Sequence, residues 1–157
     1  MRVSAGILLY RVDADSVRVL LAHPGGPLWT KRDDGAWSIP KGELDGAEEP
    51  LDAARREFSE ESGHPAPDGA YIDLGEVRLR SGKLVRAWAV NGDLDPATAA
   101  SSTFELEWPP RSGRRITVPE VDRFAWFRPE EAARKLNPAQ VAFVERLVRH
   151  LAEAAGR

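Results

Sequence analysis

Apolar and polar positions change their period several times along this chain, and each change marks an element. Residues 3–10 and 17–23 are apolar and rich in β-branched side chains, and the polar cluster Asp13, Ala14, Asp15 and Ser16 between them suits a turn. Two antiparallel strands joined as a hairpin are predicted there. Residues 24–34, with Gly25, Gly26 and Pro27, read as a surface loop leading to a short apolar segment at 36–39 that Pro40 ends. From 50 to 62 the period lengthens to that of a helix: Pro50 suits a first-turn position, acids crowd the start, and Gly63 suits the stop.

Beyond the helix, residues 71–80 and 83–90 predict two strands around Ser81 and Gly82, and 123–127 a later strand, while 91–119 reads as an unusually long loop. The tail predicts helices at 129–136 and 138–155; in the latter, Val141, Val144, Val148 and Leu151 recur at helical spacing beside Arg146 and Arg149. The sum is an α/β chain, a mixed β-sheet with helices packed on it. With 157 residues and 42% hydrophobic content, it is long enough for one core and short for two, so residues 1–157 are expected to form a single domain.

Composition narrows the chemistry. There is no cysteine, which removes disulfides, thiolate metal sites and a cysteine nucleophile together, and fits a reducing cytoplasm. The opening apolar run, Ala5 to Tyr10, is broken by Arg11 and Asp13, too early for a signal peptide or membrane span, so a cytoplasmic protein without a membrane partner is expected. A formal net charge of −3 argues against a general nucleic-acid binder.

Residues 42–64 carry the candidate chemistry. At about 100° per residue, Glu57, Glu60 and Glu61 fall within one ~100° arc of the predicted helix, beside an apolar stripe of Leu51, Ala54 and Phe58 that can pack on the sheet. Like charges ~4 Å apart at an effective dielectric of ~20 repel by roughly 4 kcal/mol, so such a trio either raises its pKa values or recruits a cation. All-oxygen donors favour Mg²⁺ or Mn²⁺ over zinc, and Mg²⁺ commonly shares its shell with phosphate oxygens and water.

The same segment reads GELDGAEEPLDAARREFSEESGH, with Gly42, Glu48, Arg56, Glu57, Phe58, Glu60, Glu61 and Gly63 at fixed spacing. It resembles the Nudix box, and only His64 departs, standing where the family usually has an aliphatic residue. At about 9% usage for each of seven fixed positions, a chance match is on the order of one in a hundred thousand, which sets coincidence aside. The resemblance covers about a seventh of the chain directly. It implies an α/β/α Nudix fold, with a mixed sheet sandwiched between helices, and a Mg²⁺-dependent pyrophosphohydrolase. By the same resemblance, Glu57 and Glu61 bind metal, Glu60 is a further ligand or the base, Glu48 and Arg56 form a supporting ion pair, and the Gly42 carbonyl is a metal ligand.

The preceding residues Trp37, Ser38, Ile39, Pro40 and Lys41 are similar in wording to Nudix members acting on dinucleoside or diphosphoinositol polyphosphates. Lys41 is therefore a candidate phosphate contact and Trp37 a candidate base-stacking surface, set against a solvent-facing lysine and a core tryptophan. Arg78, Arg80, Lys83 and Arg86 alternate along a predicted hairpin, where several can share a face and Arg86 can meet a polyphosphate. Arg111, Arg114 and Arg115 sit in the long loop. Nudix enzymes often draw a further glutamate from outside the box, and of Glu105, Glu107 and Glu120 the resemblance favours the last as that metal ligand, because it lies just before the strand ending in Trp126 and Phe127, the region from which some members supply the acid. His23, His64 and His150 receive no catalytic role.

The expected substrate is a small-molecule nucleotide, first a diadenosine polyphosphate and second a nucleoside triphosphate cleaned from the pool. A non-catalytic nucleotide-sensing module is the alternative from another class, and a homodimer is left open.

Overall fold

The computed structural model describes residues 2–14 and 16–156, so Asp15 of the predicted turn lies outside the described residues. Strands β1 (Val3–Asp13) and β2 (Ser16–Pro24) form the expected hairpin, each running slightly longer than its apolar core because pairing continues from Tyr10 opposite Val19 to Asp13 opposite Ser16. Strand β3 (Lys41–Glu43) is too short and too polar for periodicity to find, and pairs with the first half of β1. Helix α1 (Pro50–Ser62) has the predicted bounds: Pro50 opens it, and Gly63 closes it in the left-handed conformation at φ 74°, its N–H donating to the Ser59 carbonyl at 2.9 Å.

Strands β4 (Ile72–Arg78) and β5 (Leu84–Asn91) follow as an antiparallel pair. The long-loop expectation for 91–119 is corrected. It contains a single 3₁₀ turn at Pro96–Thr98 and then strands β6 (Thr103–Glu107) and β7 (Arg115–Pro119), which form a separate two-stranded ribbon. Phe104 and Leu106 alternate with Thr103, Glu105 and Glu107 there, but tryptophan, prolines and arginines around the turn mask so short a period. Strand β8 (Val121–Phe127), helix α2 (Pro129–Lys135), a 3₁₀ turn at Pro138–Gln140 and helix α3 (Val141–Ala155) complete the order.

The main sheet runs β4-β5-β1-β2-β8, with β3 attached to β1; the β1–β5 pairing is parallel and the others antiparallel. Alternation along β1 sorts its side chains: Ala5, Ile7 and Leu9 meet Ala53, Ala54 and Phe58 of α1, whereas Leu8 and Tyr10 join Ala132 of α2 and Phe143, Val144 and Leu147 of α3. The sheet is thus sandwiched between helices. Phe58, 1% exposed, anchors α1 and contributes roughly 1.5–3 kcal/mol by burial. Among the described residues no helix is long and apolar enough to cross a membrane.

Candidate functional site

Packing Phe58 inward turns the neighbouring face of α1 toward β3, and the acids come with it. At Gly42 a Cβ atom would collide with the Glu57 carboxylate, so glycine is what lets the strand and that acid approach. Glu61 accepts a hydrogen bond from the Lys41 backbone N–H at 2.9 Å. Glu57, Glu60, Glu61 and Glu120 line one cavity of about 570 Å³ together with Lys41, Gly42, Glu43, Lys83 and Ser102. A smaller adjoining cavity of about 130 Å³ shares Lys41, Glu61 and Glu120 and extends between Ala22, Ser38 and Val121. Glu120, sixty positions from the helix acids, therefore belongs to the same cleft.

Arg56 organises the acid face from the side. Its Nε and Nη2 donate to the two Glu48 carboxylate oxygens at 3.0 Å each, its Nη1 to Glu57 at 2.9 Å and to Glu60 at 3.3 Å, and its Nη2 also to the Glu43 carbonyl at 3.2 Å. The Glu48 hydrogen bonds raise the Arg56 pKa further above its ordinary value and lower that of Glu48. Glu57 is shifted the other way, upward, because burial outweighs the contact with Arg56. Burial pushes the Glu61 carboxyl up to about 8, the Lys41 N–H opposes the shift, and the charges of Glu57 and Glu120 add to it.

Two lysines line the same cavity. Lys41 is lowered, first by burial and then by Lys83, so two ammonium groups share a space that suits an anion. Lys83 is tied to Glu43 at 3.1 Å, which lowers the Glu43 pKa. Among the described residues no three His, Asp or Glu side chains already converge on a single point; Arg56 bridges Glu57 and Glu60. The donor set nevertheless fits a hard divalent ion, since Glu61 is a desolvated carboxyl with acidic neighbours and, among the described residues, no side-chain cation bonded to it.

Other sequence candidates fall elsewhere. Trp37, only 2% exposed, lines neither cavity: His23 and Phe127 meet it edge-on at 5.1 and 5.0 Å, Arg123 lies over it at 5.0 Å, and its Nε1 donates to Asp33 at 2.8 Å. The core reading of Trp37 therefore replaces the base-stacking one. Arg86 also stays outside the cavities, bonded to Asp73 at 3.3 Å and lying over Trp88 at 4.8 Å. Arg78 donates to the Gly82 carbonyl at 3.0 Å, so the four basic residues of that hairpin do not act as one patch. Glu105 pairs with Arg115 at 3.3 Å, and Glu107 accepts from the Arg111 N–H at 2.9 Å, both on the ribbon.

Two features had no sequence signal of their own. Lys83 stood in a run of basic residues with nothing to separate it from Arg80. His23, 1% exposed, faces Asp122 through Nδ1 at 2.8 Å and the Arg32 carbonyl through Nε2 at 2.6 Å, a contact spanning 99 positions.

Comparison with known proteins supplies the family. The NUDIX domain matches residues 1–147. No curated protein matches the chain in sequence. Among solved structures, an Ap4A hydrolase from C. elegans in a binary complex superposes with a TM-score of 0.69 at 21% identity, covering 98% of this chain and 99% of that one. A mutT/nudix family protein from Listeria innocua gives 0.64 at 17% identity over 98% and 95%. The NUDIX domain of Shewanella oneidensis NrtR, complexed with ADP ribose, gives 0.62 at 12% identity over 95% and 87%. At these identities the likeness is one of fold.

Proposed function

The chain belongs to the Nudix family of pyrophosphate-bond hydrolases, and on that premise we propose that it is a Mg²⁺-dependent enzyme of one domain, working in the cytoplasm on a nucleoside diphosphate derivative. The observation that carries this reading is the lining of one cleft by both signs of charge: Glu57, Glu60, Glu61 and Glu120 together with Lys41 and Lys83. Acids alone repel a phosphate chain, and lysines alone do not activate water. Together they suit a phosphoanhydride, whose charge the lysines would meet, and a divalent ion, which the acids would hold.

Glu57, Glu61, Glu120 and the Gly42 carbonyl would hold Mg²⁺, with Mn²⁺ as a substitute. When bound there, the ion would neutralise charge on the phosphates and lower the pKa of an attacking water. Glu60, more exposed than Glu57 and Glu61, would take the proton from the attacking water or complete the ligand set. Arg56 orients the acids through its contacts to Glu48, Glu57 and Glu60. Lys41 and Lys83 bind the phosphate oxygens remote from the acids and stabilise the charge that builds on the leaving group.

A diadenosine polyphosphate is the favoured substrate, supported by the W-x-I-P-K-G wording before the box and by the fold likeness to an Ap4A hydrolase. The test is a screen of diadenosine polyphosphates, nucleoside triphosphates and ADP ribose with Mg²⁺ or excess chelator, products being identified by mass. Hydrolysis should require the metal and return when it is restored. Full turnover in chelator refutes the mechanism, and tight binding of a nucleotide without any metal-dependent product returns the chain to a sensing role.

A further inference from the structure

The β6–β7 ribbon takes no part in the chemistry above, yet it is built onto the catalytic end of the molecule. Its foot is tied to the last turn of α1, where the Ser102 N–H donates to the Glu60 carbonyl at 3.1 Å and the Ala100 N–H to the Ser62 carbonyl at 2.9 Å. Its second strand runs into Glu120, whose N–H donates to the Ser102 carbonyl at 2.9 Å. Ser102 and Glu120 both line the larger cavity. The ribbon therefore rises from the rim of the cleft, and the five pairs from Thr103 opposite Pro119 to Glu107 opposite Arg115 carry it about 14 Å along at ~3.4 Å per residue.

Its faces are sorted. Pairing puts Phe104 opposite Val118 and Leu106 opposite Ile116 on one face, with threonine, glutamate and arginine on the other. Val118 is buried beside Gly26 of the preceding loop, but Phe104 at 36% and Ile116 at 37% stay open, and Leu28 of that loop is 59% exposed. An isolated two-stranded ribbon is marginal in water and is ordinarily covered on its apolar face. At the tip, the Arg111 and Arg114 side chains make no ion pair among the described residues, whereas Arg115 is paired with Glu105. Uncommitted positive charge beyond an open aromatic and aliphatic strip, continuous with a phosphate-binding cleft, complements an anion that carries a flat apolar group.

Resting on the phosphoanhydride reading of the cleft, we propose that the open face of the β6–β7 ribbon is the seat of a nucleobase of the substrate, with Phe104 and Ile116 stacking on it and the tip arginines drawing the anionic ligand in. The ribbon then selects base-bearing substrates over bare phosphate chains.

Two non-hydrolysable probes separate the base from the phosphates: diadenosine tetraphosphate with methylene bridges, and methylenediphosphonate, which has the bridge and no base. Both are titrated into the full chain with Mg²⁺, and Phe104→Ser and Ile116→Ser are compared with the unaltered protein. Each variant should raise Kd for the base-bearing probe roughly tenfold, the scale of one stacked base, and leave methylenediphosphonate within about twofold. Melting curves check that the exposed substitutions leave the fold intact. Equal weakening of both probes, or of neither, overturns the proposal. A variant that changes only from dimer to monomer by sedimentation also overturns it, because a second copy is then the occupant. Metal-dependent hydrolysis with unchanged base preference refutes the ribbon proposal alone; absence of any phosphoanhydride hydrolysis refutes the reading of the cleft and the proposal with it.

Discussion

Replacing Glu61 by glutamine tests whether the cleft is held in electrostatic tension that a cation relieves. The folded carboxyl binds its proton more tightly than the unfolded one, with a pKa of about 8 against the ordinary 4.5. Its contribution to stability is therefore complete below pH 4.5 and is lost as pH rises through about 8, as linkage requires when the folded state binds more protons. At ~1.36 kcal/mol per unit, the loss reaches about 3 kcal/mol at pH 7 and approaches about 5 kcal/mol above pH 8. Glu61→Gln does not titrate, and its amide oxygen can still accept from the Lys41 N–H now at 2.9 Å. Without metal, the variant should melt near the parent at pH 5 and on the order of 10 °C above it at pH 9, since ~1 kcal/mol moves a chain of this size by roughly 2–4 °C. Mg²⁺ should stabilise the parent more than the variant, and kcat should fall about a hundredfold or more. The assay is thermal melting by circular dichroism across that pH range, in chelator and in Mg²⁺, beside steady-state rates. A variant equally destabilised at both ends of the range refutes the reasoning, because Glu61 would then be a packing residue.

Gly42→Ala drives a methyl group into the Glu57 carboxylate, so kcat should drop about a hundredfold from ~1 Å of displacement, with stability falling by roughly 1–3 kcal/mol; near-normal turnover would show that Glu57 need not sit against β3. Lys41→Ala should raise KM for a diadenosine polyphosphate more than for a short nucleotide, and identical effects on the two would remove Lys41 from phosphate binding. Phe58→Ala should cost about 3–5 kcal/mol in denaturant unfolding, since it leaves a void where α1 meets the sheet; a loss under ~1 kcal/mol would mean that α1 is held mainly by its acids.

What the sequence makes legible here follows from how far apart the interacting residues are. Helix α1 is local in every sense: its proline, its glycine stop, its apolar stripe and its acids lie within fourteen consecutive residues, so both its bounds and its chemical face can be read directly. Strand β3 is equally short in sequence, but three residues have no period, and its place is set by pairing with Ser4, Ala5 and Gly6. The cleft shows the same division. Glu57, Glu60 and Glu61 are neighbours on one helix, whereas Glu120 reaches them through the β6–β7 ribbon that the long-loop expectation missed. Trp37 and Lys41, four residues apart in one motif, would share a face of an unbroken strand and separate because the chain bends at Pro40: Trp37 enters the core with Phe127 while Lys41 opens into the cavity. Spacing on a helix thus predicts the acids of the site, and the pairing of its cations becomes visible only when Lys41 on β3 and Lys83 just before β5 are brought to either side of β1. The proposed chemistry uses both the acids and the lysines, so a motif confined to residues 42–64 can identify the bond class while leaving substrate choice to residues that only the sheet assembles.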